Sequence, residues 1–160
     1  MSIEARLREL GLTLAAPFQG PPGVRLPFTS VRVRGDRAYV SGHLPLNPDG
    51  SLAAPLGKIG KDLSIEEGAH AARLVGLAML GSLQRELGDL DRITAWLRVL
   101  GMANMYPGFT QTSLVVNGFS ELIVMVFGPE VGMHSRSAIG VAELPFNVPV
   151  EIEAEVEIQP

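Results

Sequence analysis

The sequence contains no cysteine and only two lysines, Lys58 and Lys61. Without cysteine there is no disulfide framework, no thiolate nucleophile and no cysteine-ligated zinc or iron–sulfur site, and redox chemistry on sulfur is confined to methionine. The scarcity of lysine leaves 13 basic against 17 acidic residues, a formal charge of −4 and a pI near 5.4. Affinity for phosphate backbones comes mainly from clustered Lys and Arg, so this balance argues against a nucleic-acid partner. Dinucleotide and Walker-type glycine loops are missing as well. The three histidines, His43, His70 and His134, fall in neither an HxH nor an HExxH spacing, so no metal site is expected. No run reaches the roughly 18 apolar residues of a membrane span, and MSIEARLRELGL lacks the apolar stretch of a signal peptide. Both observations point to a cytoplasmic protein without a membrane partner.

What is present describes one domain. A chain of 160 residues can bury most of its apolar surface around a single core. Its 46% hydrophobic and 19% charged residues tilt slightly towards burial, as expected if part of the surface is an oligomer interface. Ser2 can cap a short helix whose Ile3, Leu7 and Leu10 share a face, with Gly11 as its stop, so residues 1–16 read as a helical appendage to a domain at 17–160. The Pro-rich stretch from Pro17 to Pro27 is an irregular connector. Phe28–Arg34 and Arg37–Leu44 form strands around a Gly35-Asp36 turn.

Ser64 and Glu67 then make a capping box for a long helix ending near Gly88. Its interior Gly68, Gly76 and Gly81 each cost about 1 kcal/mol against alanine; they either face solvent or mark close approach to another element. Ile93–Met102, with the single tryptophan Trp96, reads as a strand. The run ELIVMVFG fits a buried strand or a helix; Asn117 or Ser120 as N-cap and Gly128-Pro129 as stop favour the helix. Ser135–Leu144 and Val148–Ile158 are strands, and in the second Val148, Val150, Ile152, Ala154, Val156 and Ile158 alternate with Glu151, Glu153, Glu155 and Glu157. The order ββαβαββ predicts an α+β sheet with both helices packed on one face.

Two segments carry a family likeness. DRAYVSGHLPLNPDG resembles the YjgF/RidA signature in which a strand ends in Ser-Gly and leads to Pro and Asn-Pro. HSRSAIGVAELPFNVPVEIEAEVEI resembles the C-terminal signature of the same family: Arg-Ser, small and branched residues, Leu-Pro, then alternating apolar residues and glutamates. With GDLDRITAWLRVL and the VVNG step the resemblance covers roughly residues 25–158. It implies a chorismate-mutase-like fold, a homotrimer, and clefts between subunits that bind small carboxylates. It also implies the activity of the family's best-known members, hydrolysis of 2-imino or 2-enamino acids to 2-keto acids and ammonia without metal or cofactor. By motif position, Arg136 is similar to the carboxylate-binding arginine, Glu151 to the glutamate that orients water, and Gly42 and Asn117 to pocket-shaping positions. Phe28 stands where these deaminases usually have tyrosine and Ala138 where many carry cysteine. His43 and His134 replace commoner residues at the edges of the two signatures, which completes the implied substrate-lining set.

The residues themselves point the same way. Arg136 sits on a strand followed at i+2 and i+4 by Ala138 and Gly140, which predicts empty space on its own face. A guanidinium beside a hollow suits a carboxylate, held bidentately; the alternative is an ion pair with a C-terminal glutamate. Glu153, Glu155 and Glu157 form a solvated face that discourages edge pairing, whereas Glu151, in a half-buried cleft, could hold and deprotonate a water. His134 shares a face with Arg136 and has a pKa suited to proton transfer, or it is structural. Three functions compete: a cofactor-free imine or enamine deaminase, a non-catalytic trimer binding a small carboxylate or a partner protein, and a ribonuclease, which the acidic chain disfavours.

Overall fold

The computed structural model describes all 160 residues. After a short helix α1 (Ile3–Glu9) come β1 (Val31–Arg34), β2 (Arg37–His43), α2 (Ile65–Leu87), β3 (Ile93–Asn104), α3 (Thr112–Gly132), β4 (Ser135–Val141) and β5 (Val150–Ile158). Past α1 the order is ββαβαββ. The strands form one sheet in the order β1-β2-β5-β3-β4. β3 and β4 run parallel, joined by α3 as crossover, and the remaining pairs are antiparallel.

Strand alternation decides which side is core. On β5 the apolar series Val150, Ile152, Ala154, Val156 and Ile158 is buried beneath α2 and α3, while Glu151, Glu153, Glu155 and Glu157 project to the other face. Both long helices therefore cover one side. Trp96 on β3 lies edge-on to Phe119 (5.9 Å between centroids) and Phe127 (5.7 Å) of α3. Leu7 of α1 joins this core, and α1 is tied to the 3-10 turn Leu90–Arg92 by Ile3 N–H to Asp91 Oδ1 and Leu90 N–H to Glu4 Oε1.

The capping box forms as the sequence predicts, with Glu67 N–H donating to Ser64 Oγ and Ser64 N–H to Glu67 Oε2. The α2 glycines are close-approach sites. A Cβ on Gly76 would lie 2.6 Å from Leu122 of α3, one on Gly68 2.8 Å from Ile59, and one on Gly81 2.6 Å from the Ala15 carbonyl oxygen.

Several boundaries differ from the sequence reading. β1 begins at Val31 rather than Phe28, because the pairing with β2 ends where Ser41 N–H and Oγ turn to the Ser30 and Thr29 carbonyls. β4 stops at Val141 and β5 starts at Val150; between them Phe146 and Asn147 take left-handed φ of 57° and 58°. ELIVMVFG is helical, but α3 starts at Thr112, with Gln111 preceding it and making no side-chain cap. Asn117 and Ser120 lie inside the helix, where their side chains accept from Arg136 rather than cap the helix. Gly128 (φ 77°, ψ 168°) breaks α3 as expected, and one further turn follows Pro129. By length and mean hydropathy α3 could cross a membrane; here its Val115, Val116, Phe119, Leu122 and Ile123 are fully buried against α2 and the sheet.

Candidate functional site

The candidate residues gather into two clusters. The first surrounds a cavity of about 600 Å³ at the end of the sheet where β2 meets α2. Phe28, Gly42, His43 and Glu151 all line it. Glu151 folds across Gly42 so closely that a Cβ there would lie 3.0 Å from the carboxyl carbon; only glycine leaves the carboxyl its place. A register shift between Val40 and His43 re-aims this stretch of β2. The Glu151 carboxyl is half-buried and accepts no hydrogen bond from the protein. Burial, reinforced by the charge of Glu153, raises its pKa above the usual carboxylate value.

His43 is buried below the same cavity. Its Nδ1 is 2.6 Å from the Ser41 carbonyl oxygen, which can only accept, so Nδ1 carries the proton. Burial lowers its pKa, assisted by the charge of Arg85. In the neutral ring Nε2 accepts from Ser82 Oγ (2.8 Å), and Ser82 Oγ accepts from Arg85 Nη2 (3.1 Å).

The second cluster lies where β4 meets α3. Arg136 Nη1 donates to Asn117 Oδ1 (2.9 Å) and Ser120 Oγ (3.1 Å), and Nη2 to the Ser113 carbonyl (3.4 Å). His134 turns to the same helix: Nδ1–H donates to Gly132 O (2.7 Å) and Nε2 is 2.9 Å from Ser120 Oγ. Burial and then the nearby Arg136 charge lower its pKa, so this ring too is held neutral. The two clusters thus repeat one arrangement, arginine to serine to histidine to a carbonyl two residues back.

For Arg136 the alternative of an ion pair is ruled out and one expectation changes. The arginine pairs with no glutamate; the ion pairs of the molecule are Arg6–Glu9, Arg37–Glu155 and Lys58–Glu143. Nor is the space beside Gly140 empty, since Met105 and Thr112 would stand 3.2 and 3.5 Å from a Cβ there, and Thr112 Oγ1 donates to the Ala138 carbonyl.

The clusters do not meet within one chain. Arg136 is in register with Val99 and through it with Ala154, residues that face the helices, whereas Glu151 pairs with Met102 on the opposite face. Two strand spacings and three residues of rise put their backbones roughly 14 Å apart, with side chains on opposite sides of the sheet.

Sequence reasoning missed Ser82, Arg85, Phe18 and Phe146. Ser82 and Arg85 lie three apart on α2 and so share a face, but an arginine in a last helical turn also suits the helix dipole, which hides its position at a cavity. Phe146 borders the cavity, packs on Phe18 (centroids 5.6 Å apart) and holds a positive φ that a bulky residue rarely adopts. Glu4, Asp89 and Asp91 are the carboxylates close enough to share a cation, but each already accepts a backbone N–H.

The fold and the two signatures define a class of small α+β proteins, and comparison with known sequences agrees. A family model described as "YjgF/chorismate mutase-like, putative endoribonuclease" matches residues 11–154. The chain belongs to the YjgF/chorismate mutase-like family. It is 40% identical to Protein TCP17 of Trypanosoma cruzi, over 98% of this chain and 94% of that one. Among solved structures it is similar to Atu1372 of Agrobacterium tumefaciens, a protein of unknown function, with 38% identity, a TM-score of 0.85 and coverage of 98% and 92%. A Shewanella oneidensis MR-1 protein carrying the same endoribonuclease label matches with 26% identity, a TM-score of 0.87 and coverage of 99% and 100%.

Proposed function

We propose that this protein is a cofactor-free deaminase that hydrolyses small 2-imino or 2-enamino acids to 2-keto acids and ammonia in clefts between the subunits of a homotrimer. The observation that carries this reading is Glu151: a half-buried carboxyl on a cavity wall, without a protein hydrogen bond and with a raised pKa. A group of that kind takes a proton from water more readily than an exposed carboxylate does. Arg136, held by Asn117 and Ser120 and unpaired with any carboxylate, is the complementary half, able to orient a substrate carboxylate with its remaining donors.

Because the halves lie on opposite sides of one sheet, the reading requires Glu151 of one copy to face Arg136 of the next. Water, deprotonated by Glu151, adds to the iminium carbon. The proton then passes from Glu151 to the amine nitrogen of the carbinolamine; as the C–N bond breaks and ammonia leaves, the hydroxyl proton returns to the Glu151 carboxylate and the carbon keeps the new oxygen as a ketone. The open sheet face supports association: Tyr39 and Ile139 are exposed there beside the half-buried Leu100 and Met102.

Steady-state ammonia release from 2-imino acids generated in situ tests the activity, and its absence with every small imine would leave a carboxylate-binding trimer as the better account. The ribonuclease reading has the family description in its favour, but the net charge of −4 works against it.

A further inference from the structure

The cavity holds a cation that the deaminase reading does not use. Arg85, at the end of α2, lines the same cavity as Glu151. Its Nη1 donates to the Ala15 carbonyl (3.0 Å) and its Nη2 to Ser82 Oγ (3.1 Å). The first contact exists because Gly81 lets the Ala15 carbonyl reach the helix surface; a Cβ there would lie 2.6 Å from that oxygen. These two bonds occupy two of the five guanidinium N–H donors and fix its plane, leaving three donors. Arg85 belongs to none of the ion pairs of the molecule. The residue is exposed overall, with the side of the guanidinium that meets Ala15 and Ser82 part-buried, and this partial burial lowers its pKa. Glu86 also borders the cavity and is exposed like Arg85, but it forms no ion pair with it.

The rest of the cavity describes what such a cation would meet. About 600 Å³ lies within the range that takes drug-sized ligands and exceeds what a three- or four-carbon acid needs. Phe18, Phe28 and Phe146 supply apolar wall, and the left-handed backbone of Phe146 keeps its ring against Phe18. A cavity lined by phenylalanines, a carboxyl and a guanidinium suits a ligand with an apolar middle and an acidic far end.

We propose that Arg85 is a second anion anchor, which makes the protein selective for dicarboxylic 2-oxo and 2-imino acids over monocarboxylic ones of equal length. The first carboxylate goes to Arg136 of the adjoining copy and the second to Arg85, with the carbon chain against the phenylalanines. The selectivity rests on the proposed function for the place of the first carboxylate, but the Arg85 contact can be tested by binding alone.

The experiment is calorimetric titration of the full-length protein with 2-oxoadipate and with 2-oxohexanoate, which differ only in the terminal acid, using wild type, Arg85→Met, Arg85→Lys and Arg136→Ala. Wild type should prefer the diacid about tenfold or more, the worth of a charged hydrogen bond. Arg85→Met should bring the ratio to about one, Arg85→Lys should keep part of it, and Arg136→Ala should weaken both ligands alike. Equal affinity of wild type for the two acids, or a preference that survives in Arg85→Met, overturns the proposal. Ammonia release from monocarboxylic imines without diacid preference would remove Arg85 from the account and leave the deaminase reading intact. A diacid preference that Arg85→Met abolishes, in a protein that releases no ammonia, would do the reverse.

Discussion

Glu151 and the two histidines of the candidate clusters respond to pH in opposite directions. Glu151 has a raised pKa, so between its ordinary value of 4.5 and the raised one the folded protein keeps a proton that the unfolded chain has released. Folding stability contributed by this group is lost as pH rises through that window. In the proposed reaction Glu151 acts as a base only when deprotonated, so the acid limb of the rate profile should lie above the ordinary carboxylate range. Glu151→Gln should lower turnover by roughly 10²- to 10⁴-fold without lowering the melting temperature at pH 7, because it removes a poorly solvated charge. A variant that keeps wild-type turnover would exclude the base role. His43 and His134 have lowered pKa values; stability is lost as pH falls below the ordinary histidine value of 6.5, where the unfolded chain takes up protons the folded one refuses. Melting curves between pH 7 and pH 5 should show that fall, and replacing either histidine by glutamine should shrink it. For Arg136, substitution by lysine keeps charge but loses the two-pronged geometry, a cost of about 1.5–3 kcal/mol or roughly ten- to a hundredfold in kcat/KM. Unchanged turnover with a lowered melting point would instead make Arg136 structural.

Among the elements, the contact of α2 with α3 sets the spacing of the whole helical layer. Gly118 of α3 rests on the backbone of Ala69, whose Cα would stand 3.1 Å from an added Cβ. Gly118→Ala gains about 1 kcal/mol of helix propensity, but it forces two backbones apart, a change that costs typically 1–3 kcal/mol and more when neither side can yield. The melting temperature should therefore fall by several degrees; a rise would show that the helices are not in close contact there. Elements with a strong local signal were legible in the sequence. The strict alternation of Val148–Ile158 and the Ser64/Glu67 box fixed β5 and the start of α2, since period and cap chemistry are local. The start of α3 was not legible, because Gln111 makes no cap and the polar residues that resemble caps, Asn117 and Ser120, instead serve Arg136 across the chain fold. The expected hollow at Gly140 failed for a related reason: Met105 and Thr112, distant from β4 in local pattern, fill it. Arg85 stayed hidden because its importance depends on a cavity formed by segments near Ala15, Phe28 and Phe146, a long-range arrangement that no spacing announces.

For the whole molecule, the central question is whether two copies complete one site. The proposed shared cleft, supported by the exposed Tyr39 and Ile139 on the uncovered sheet face, predicts a trimer that should sediment at about three times 17.1 kDa. Ile139 is 44% exposed in the single chain, so Ile139→Glu should be tolerated by the protomer fold yet disperse the assembly and abolish ammonia release with it. A folded monomer that retained full activity would contradict the shared cleft. The most direct measurement mixes two single-site variants, Arg136→Ala and Glu151→Gln, by unfolding and refolding them together in equal amounts. Each alone should be nearly inactive. In random trimers roughly a quarter of the clefts would join an intact Glu151 from one variant to an intact Arg136 from the other, so the mixture should recover about a quarter of wild-type activity. No recovery, in mixed trimers verified by mass, would contradict a site built from two protomers.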